Sequence, residues 1–404
     1  MRKLFDRLRP RFQEGGRHAA HRGVFQLLDR FLYSSPNATI GAPHVRDANN
    51  VQRLMNYFVI ASIPCWLIGL WNLGEQTNFA MAQMGMAEAP GWRGAVMALF
   101  GVGYDPQNLA ACFFHGFLYF LPIFVIALLT GAFWESLFAQ QRGRPVDEGL
   151  LAFAWLFALV MPASIPWYAV VLGMSFGIVV GKGIYGGMGR YIVSPVVLGF
   201  AFLLFSFPDL IFGEGTWIPV PGYDEPTTVE LAIEEGGIAA LQAVDYQWWQ
   251  LFVGHESGPI GITSVLGCLL GAVFLILSGT ASWRIMLGSV LGMIAAVLAL
   301  NLLGPEDNPM FQMPWHWHLV IGGWAFVTVF VATDPVAAAT TNPGRWGFGI
   351  IVGALTIIVR VSNPSLFQGG VFAVLLASVF SPLIDYFVVE RNIKRCTQRV
   401  RAIQ

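Results

Sequence analysis

"NLAACFFHGFLYFLPIFVIALLTGAFWESLF", residues 108–138, runs for a full membrane thickness before it meets its first charge, Glu135. A helix closes its own backbone hydrogen bonds, so roughly 20 apolar residues cross about 30 Å of hydrocarbon where no water is at hand. A membrane barrel would show short segments of alternating polarity, and this stretch does not alternate. The rest of the chain follows suit: of 404 residues 55 % are hydrophobic and 12 % charged, with a mean hydropathy of +0.60. That composition excludes an ordinary soluble domain.

Reading outward from 108–138, further apolar runs fall at 54–73, 148–163, 165–181, 193–207, 259–279, 282–303, 315–333, 346–361 and 367–388. The expectation is an all-α integral membrane protein of ten transmembrane helices. Residues 1–53 form a cytoplasmic amphipathic arm, 54–207 the first five helices, 208–258 an outer loop, 259–388 the second five and 389–404 a basic tail. No cleavable signal peptide is expected in the charged N-terminal stretch.

Charge sets the orientation. Residues 1–53 hold ten Lys and Arg, the tail from 387 holds five, and Arg142, Arg144, Lys182, Arg190, Arg284 and Arg345 share their side of the membrane if the helix count is ten. The positive-inside rule makes that side cytoplasmic, with both termini there. Arg93 and Arg360 fall on the outer side. The loop 208–258 has nine Asp and Glu and no Lys or Arg, and it carries "GYDEPTTVELA" at 222–232. Cys65, Cys112, Cys268 and Cys396 are isolated in sequence, which argues against a disulfide framework or a self-contained metal centre.

Two texts echo each other at a spacing of 148 residues, placing Pro166 and Trp167 opposite Pro314 and Trp315. Five helices per half is an odd number, so the halves are expected to be inverted repeats, a design that sets a working site beside broken helices at the repeat interface. The competing reading is that Pro-Trp simply starts a helix at the interface.

Charges inside apolar spans are costly and usually functional or paired. Glu135 and Asp385 both fall near the cytoplasmic mouth, where two carboxylates suit a small hard cation; the structural alternative is pairing with Arg391 or Arg284. Asp334 and Pro335 follow the eighth span. Their counterpart after the fourth, "GKGIYGGMGRYIVSP" at 181–195, is glycine-rich, and two such turns can cradle a planar ligand or its phosphate. His316 and His318, at i and i+2, read with Trp315 and Trp317 as an interfacial aromatic belt. Nothing binds NADH, because "GVGYDPQ" at 101–107 lacks the strand and helix of a dinucleotide site.

"HVRDANNVQRLM" (44–55), "GAFWESLF" (131–138), "QMPWHWHLVIGGWAFVTVFVATDPVAA" (312–338) and "SPLIDYFVVERNIKR" (381–395) together resemble the B subunit of the sodium-translocating NADH:quinone reductase, a six-subunit bacterial pump. The D subunit of the Rnf complex shares this core. The resemblance implies a component of the bacterial inner membrane that passes electrons from a periplasmic FMN to a cytoplasmic-side flavin and quinone while Na⁺ or H⁺ moves. Its partners are the other subunits, quinone and the lipid bilayer, with no nucleic acid. A flavin-free transporter-like or scaffold subunit remains the alternative.

In that family FMN is joined as a phosphoester to a threonine after Ser-Gly-Ala. Here the text is "DEPTT", which implies Thr228 first and Thr227 second. The family's inner turn, with two asparagines suited to riboflavin, here reads "GGMGRYIVSP": Gly186, Gly187 and Gly189 remain, and Tyr191 and Ser194 stand for the asparagines. A quinone position is implied at Gly131, Ala132, Phe133 and Trp134, with Ala132 replacing a glycine.

Overall fold

A computed structural model describes residues 51–143, 149–212, 215–223, 226–234, 236–304, 308–362 and 369–403, with five scattered residues before Val51. The amphipathic arm and Arg144 therefore lie almost wholly outside the described residues. Among the described residues all regular structure is helical, with no strand.

The helices are α1 (Val51–Gln83), α2 (Trp92–Leu99), α3 (Leu109–Arg142), α4 (Leu150–Val160), α5 (Trp167–Phe176) and α6 (Pro195–Ser206). In the stretch 208–258 come α7 (Asp209–Phe212), α8 (Thr228–Glu234), α9 (Ile238–Ala243) and α10 (Trp248–Val253). There follow α11 (Val265–Leu277), α12 (Trp283–Leu303), α13 (Trp315–Val320), α14 (Trp324–Phe326), α15 (Asn342–Ser362) and α16 (Gly369–Ile403). Wider π-helical turns extend α5 through Gly177–Gly183 and α14 through Val327–Val331.

Helix occupies every stretch expected to span, and among the described residues five helices (α1, α3, α12, α15 and α16) are long and apolar enough to cross a membrane. The chain is an integral membrane protein. Large apolar side chains stand on its surface, Leu277, Leu302 and Leu303 being more than 80 % exposed, as on a surface that meets lipid or a partner protein. The other apolar helices are shorter. α4, at 11 residues, is about 16 Å long, well under a membrane thickness. α16 continues through Ile403, so the basic tail extends the last span as one helix.

α1 packs on α3 and α11, α3 on α5, α5 on α6, α12 on α15, α15 on α16, and α6 on α16. Small residues bring the backbones together, as lipid-embedded helices require: a Cβ on Gly353 would lie 2.0 Å from the Ser289 carbonyl, and one on Gly74 1.9 Å from that of Cys112. Two segments stop short. α4 ends at Met161 and α13 at Ile321, each in extended conformation, and Gly322 and Gly323 then take φ of 61° and 69° before α14 begins. The segment expected as one helix over 315–333 is thus broken in two. The cysteines are also less isolated than their spacing implies: Cys65 and Cys268 bring their buried thiols to 3.6 Å across the α1–α11 contact.

Candidate functional site

The loop threonines stand at the start of α8, Thr227 as its cap and Thr228 as its first residue, and local chemistry explains the first of them. Thr227 donates its amide and its hydroxyl to Glu230 Oε2 at 2.8 and 2.9 Å, and Glu230 returns its amide to the Thr227 hydroxyl at 3.3 Å. This is a reciprocal capping box, the T-x-x-E signature of a helix start. Thr228, one residue on, is turned inward and donates its hydroxyl to Glu256 Oε1. Both threonines are buried, at 2 % and 0 % exposure.

Glu256 joins that loop to the broken segment. Its Oε1 also accepts the Gly322 amide at 3.3 Å, and its own carbonyl accepts Asn72 Nδ2 at 2.7 Å. Arg360, fully buried on α15, donates Nη1 to the His318 carbonyl and Nη2 to that of Gly322, each at 3.1 Å. These carbonyls lie where α13 ends and lack helical partners, and a guanidinium meets both at once. Glu256 Oε2, Arg360 Nε and His318 Nδ1 are buried without a hydrogen-bond partner. Burial pushes the Glu256 carboxyl up to about 7, against the opposing pull of the Thr228 hydroxyl, the Gly322 amide and the Arg360 guanidinium. Of this cluster, the residue pattern points only to Thr228. Glu256 is one of nine acids in the loop and Arg360 a charge on the outer side, although an arginine in an apolar run is itself a signal. A cleft of about 520 Å³ opens beside the same loop, lined by Arg93, Tyr119 and Pro219 to Tyr223, with the Arg93 guanidinium 4.1 Å from the Tyr119 ring centroid.

The glycine-rich turn after α5 and the Asp-Pro turn after α14 do meet. The Tyr191 hydroxyl donates to both carboxylate oxygens of Asp334 at 2.9 and 3.1 Å, and Ser194 also hydrogen-bonds that carboxylate. Asp334 Oδ1 accepts the amides of Val336 and Ala337, closing the turn through Pro335. Gly186, Gly187 and Gly189 supply the positive φ the other turn needs, at 107°, 106° and 83°. Burial raises the Tyr191 phenol well above its usual value, and the Asp334 charge adds to the effect. Burial likewise raises the Asp334 carboxyl, against its hydrogen bonds.

Glu135 pairs with Lys182 rather than with Arg391 or Arg284. Lys182 Nζ lies 2.5 Å from Glu135 Oε1, both side chains are buried, and the ammonium stands 5.5 Å from the Phe153 ring centroid. Tyr191 also meets Phe153, with ring centroids 5.9 Å apart and the rings nearly perpendicular. One aromatic ring therefore touches both polar pairs. Asp385 is satisfied elsewhere: it accepts the amides and hydroxyls of Thr340 and Thr341, tying α16 to the start of α15. Neither carboxylate turns to the arginine expected for it.

Gly131 is packed against Leu150 and Met174, and a Cβ there would lie 2.4 Å from Leu150 Cδ1. Trp134 donates Nε1 to the Ser175 hydroxyl at 2.8 Å, Ala132 is half-buried, and Phe133 is 62 % exposed on the bundle surface. In the aromatic belt Trp315 and His316 are exposed, whereas Trp317 and His318 are buried; the i, i+2 pair does point to different sides.

The flavin groups can be tested against these contacts. A phosphoester on Thr228 would set an anionic phosphate beside Glu256, and one on Thr227 would set it beside Glu230. At the inner turns the Tyr191 phenol fills the space between Asp334 and Phe153. As folded here, neither place fits a flavin without rearrangement.

Residues 38–394 match the model of the NQR2, RnfD, RnfE family. A protein from Chromohalobacter salexigens, described as the B subunit of the Na⁺-translocating NADH-quinone reductase, is 41 % identical over 399 residues, covering 99 % of this chain and 96 % of its own. Proteins of the same description from Azotobacter vinelandii and Pseudomonas aeruginosa are 41 % and 40 % identical over 397 residues, covering 98 % of both chains. With a family match over residues 38–394 and relatives 40–41 % identical over nearly the whole length, the chain belongs to the NQR2, RnfD, RnfE family.

Proposed function

We propose that this chain is the membrane component of a Na⁺-translocating NADH:quinone reductase through which electrons pass from an outer-face FMN toward an inner-face flavin and quinone. The observation that carries this reading is its likeness, over nearly its full length, to proteins described as the B subunit of that enzyme. The protein's part in such chemistry is to place redox groups and set their surroundings. Thr228, with Thr227 as the alternative, is the proposed attachment point, and its engagement by Glu256 means α8 must shift for a phosphate to be accommodated. Phe133, exposed toward lipid beside the Gly131–Trp134 turn, suits a quinone arriving from the bilayer. Glu135 and Asp385 remain the proposed acids of the ion path, Na⁺ or H⁺, with Lys182 as a built-in competitor for the first.

Two five-helix halves are supported by packing rather than by the 148-residue echo. The contacts α3–α5 and α5–α6 in the first half correspond to α12–α15 and α15–α16 in the second, and α1–α11 and α6–α16 join first segment to sixth and fifth to tenth. The third and eighth segments are the ones cut short by an extended residue. The echo pairs second with sixth and fourth with eighth, which run the same way in a ten-span topology, so it does not describe an inversion.

Tyr191 favours a second reading in which the protein keeps the outer flavin and dispenses with the inner one. Flavin analysis of the purified complex separates the two: covalent plus extractable flavin on this chain supports the full path, covalent flavin alone the shorter one. A chain with neither fits a scaffold.

A further inference from the structure

We propose that Glu256 is a positioning residue that latches α8, and Thr228 with it, to the break in the eighth segment. Glu256 ties several pieces of chain together: its carboxylate accepts Thr228 from α8 and the Gly322 amide from the break, its backbone carbonyl accepts Asn72 from α1, and Arg360 fastens the carbonyls of the same break and adds its charge. α8 has seven residues and its other polar anchor, the Thr227–Glu230 box, is internal to itself. A helix this short is not stable alone, so its place depends on tertiary contacts, among which, for the described residues, is the buried Thr228–Glu256 hydrogen bond to another segment. Latched, α8 keeps Thr228 from the outer solution; released, it exposes the hydroxyl without disturbing the spans. On the flavin reading above, the latch also governs when Thr228 comes within reach of a modifying group.

The test uses the full complex in right-side-out membranes. Val229, fully buried beside Thr228, is replaced by cysteine and labelled with a membrane-impermeant maleimide, with native Cys112, also fully buried, as the internal control for global opening. Parent V229C labels slowly. Glu256→Ala and Thr228→Val each raise the V229C rate roughly tenfold or more, as expected when a local unit opens at lower cost, while Cys112 stays protected. Glu256→Gln, which keeps an acceptor for Thr228 and Gly322, stays slow. Equal V229C rates in all four proteins overturn the latch, as does a Glu256→Gln rate as fast as that of Glu256→Ala. Should Glu256→Ala expose Cys112 as well, the Thr228→Val and Glu256→Gln rates decide by the same criteria. In-gel flavin fluorescence of the same samples separates the two ideas: a dark band removes the flavin reading and leaves the latch to the labelling rates.

Discussion

Lys182 Nζ stands 2.5 Å from Glu135 Oε1, with both side chains excluded from solvent. Two opposite charges so placed hold each other at the cost of their hydration, and removal of either takes from the other the close counter-charge that offsets its burial. Lys182→Met is therefore expected to destabilise the protein by about 3–5 kcal/mol, whereas Glu135→Leu with Lys182→Met recovers most of that loss. Thermal unfolding of the detergent-purified complex measures both. A double variant as unstable as the single one would contradict the pairing.

The Tyr191–Asp334 contact yields a second expectation. Tyr191→Phe removes the donor to both carboxylate oxygens and should cost about 1.5–3 kcal/mol, the usual worth of a hydrogen bond to a charged group. Tyr191→Asn with Ser194→Asn restores small amide side chains at the inner turn and is expected to raise the extractable flavin bound per complex. Unchanged flavin content in that double variant would remove Tyr191 as the occluding group.

Much of the architecture is legible in the residues. Long uncharged runs can only be buried helix or lipid-facing helix, and α1, α3, α12, α15 and α16 follow from them. What is not legible depends on contacts far apart in the chain. Glu135 and Lys182 lie 47 residues apart, and Lys182 sits in a π-helical turn that regular 3.6-residue periodicity does not describe. Glu256 reaches Thr228 across 28 residues and Cys65 reaches Cys268 across 203. The break at Ile321 to Gly323 is readable in principle from two glycines inside an apolar run. So is the capping box of Thr227 and Glu230, a four-residue pattern that gives the threonine a structural role before any chemical one.

Close backbone approach between α12 and α15 predicts intolerance at a single methyl group. A Cβ on Gly353 would lie 2.0 Å from the Ser289 carbonyl and 2.8 Å from the Met293 amide. Gly353→Ala should force these helices apart and cost about 1–3 kcal/mol or more, the range for overpacking. Gly347→Ala, whose Cβ would meet Ile384 at an ordinary 3.8 Å, is the matched control and should be near neutral. Equal melting temperatures for the two variants would contradict the packing.

Glu256 gives the pH dependence. Its carboxyl is raised to about 7 from 4.5, with burial the largest cause. A group that is a weaker acid folded than unfolded favours the folded state most when protonated, so stability falls as pH rises from 4.5 through about 7 and then levels. The shift corresponds to about 3 kcal/mol. Glu256→Gln, which cannot ionise, should therefore exceed the parent by up to that amount above pH 7, and the gap should close below pH 4.5. Denaturation of both proteins across that range reads it, and a gap that is constant with pH would show that Glu256 does not titrate there.

The electron path proposed above stands or falls on a flavin carried by the outer loop. Peptide mass spectrometry of this chain, cut from a denaturing gel of the intact complex after viewing under ultraviolet light, decides the matter. The expected outcome is a fluorescent band whose peptide spanning Thr227 and Thr228 is heavier by one FMN phosphoester, and which loses the label in Thr228→Val. A dark band with that peptide unmodified, from a complex that still oxidises NADH and reduces quinone, would refute the outer flavin.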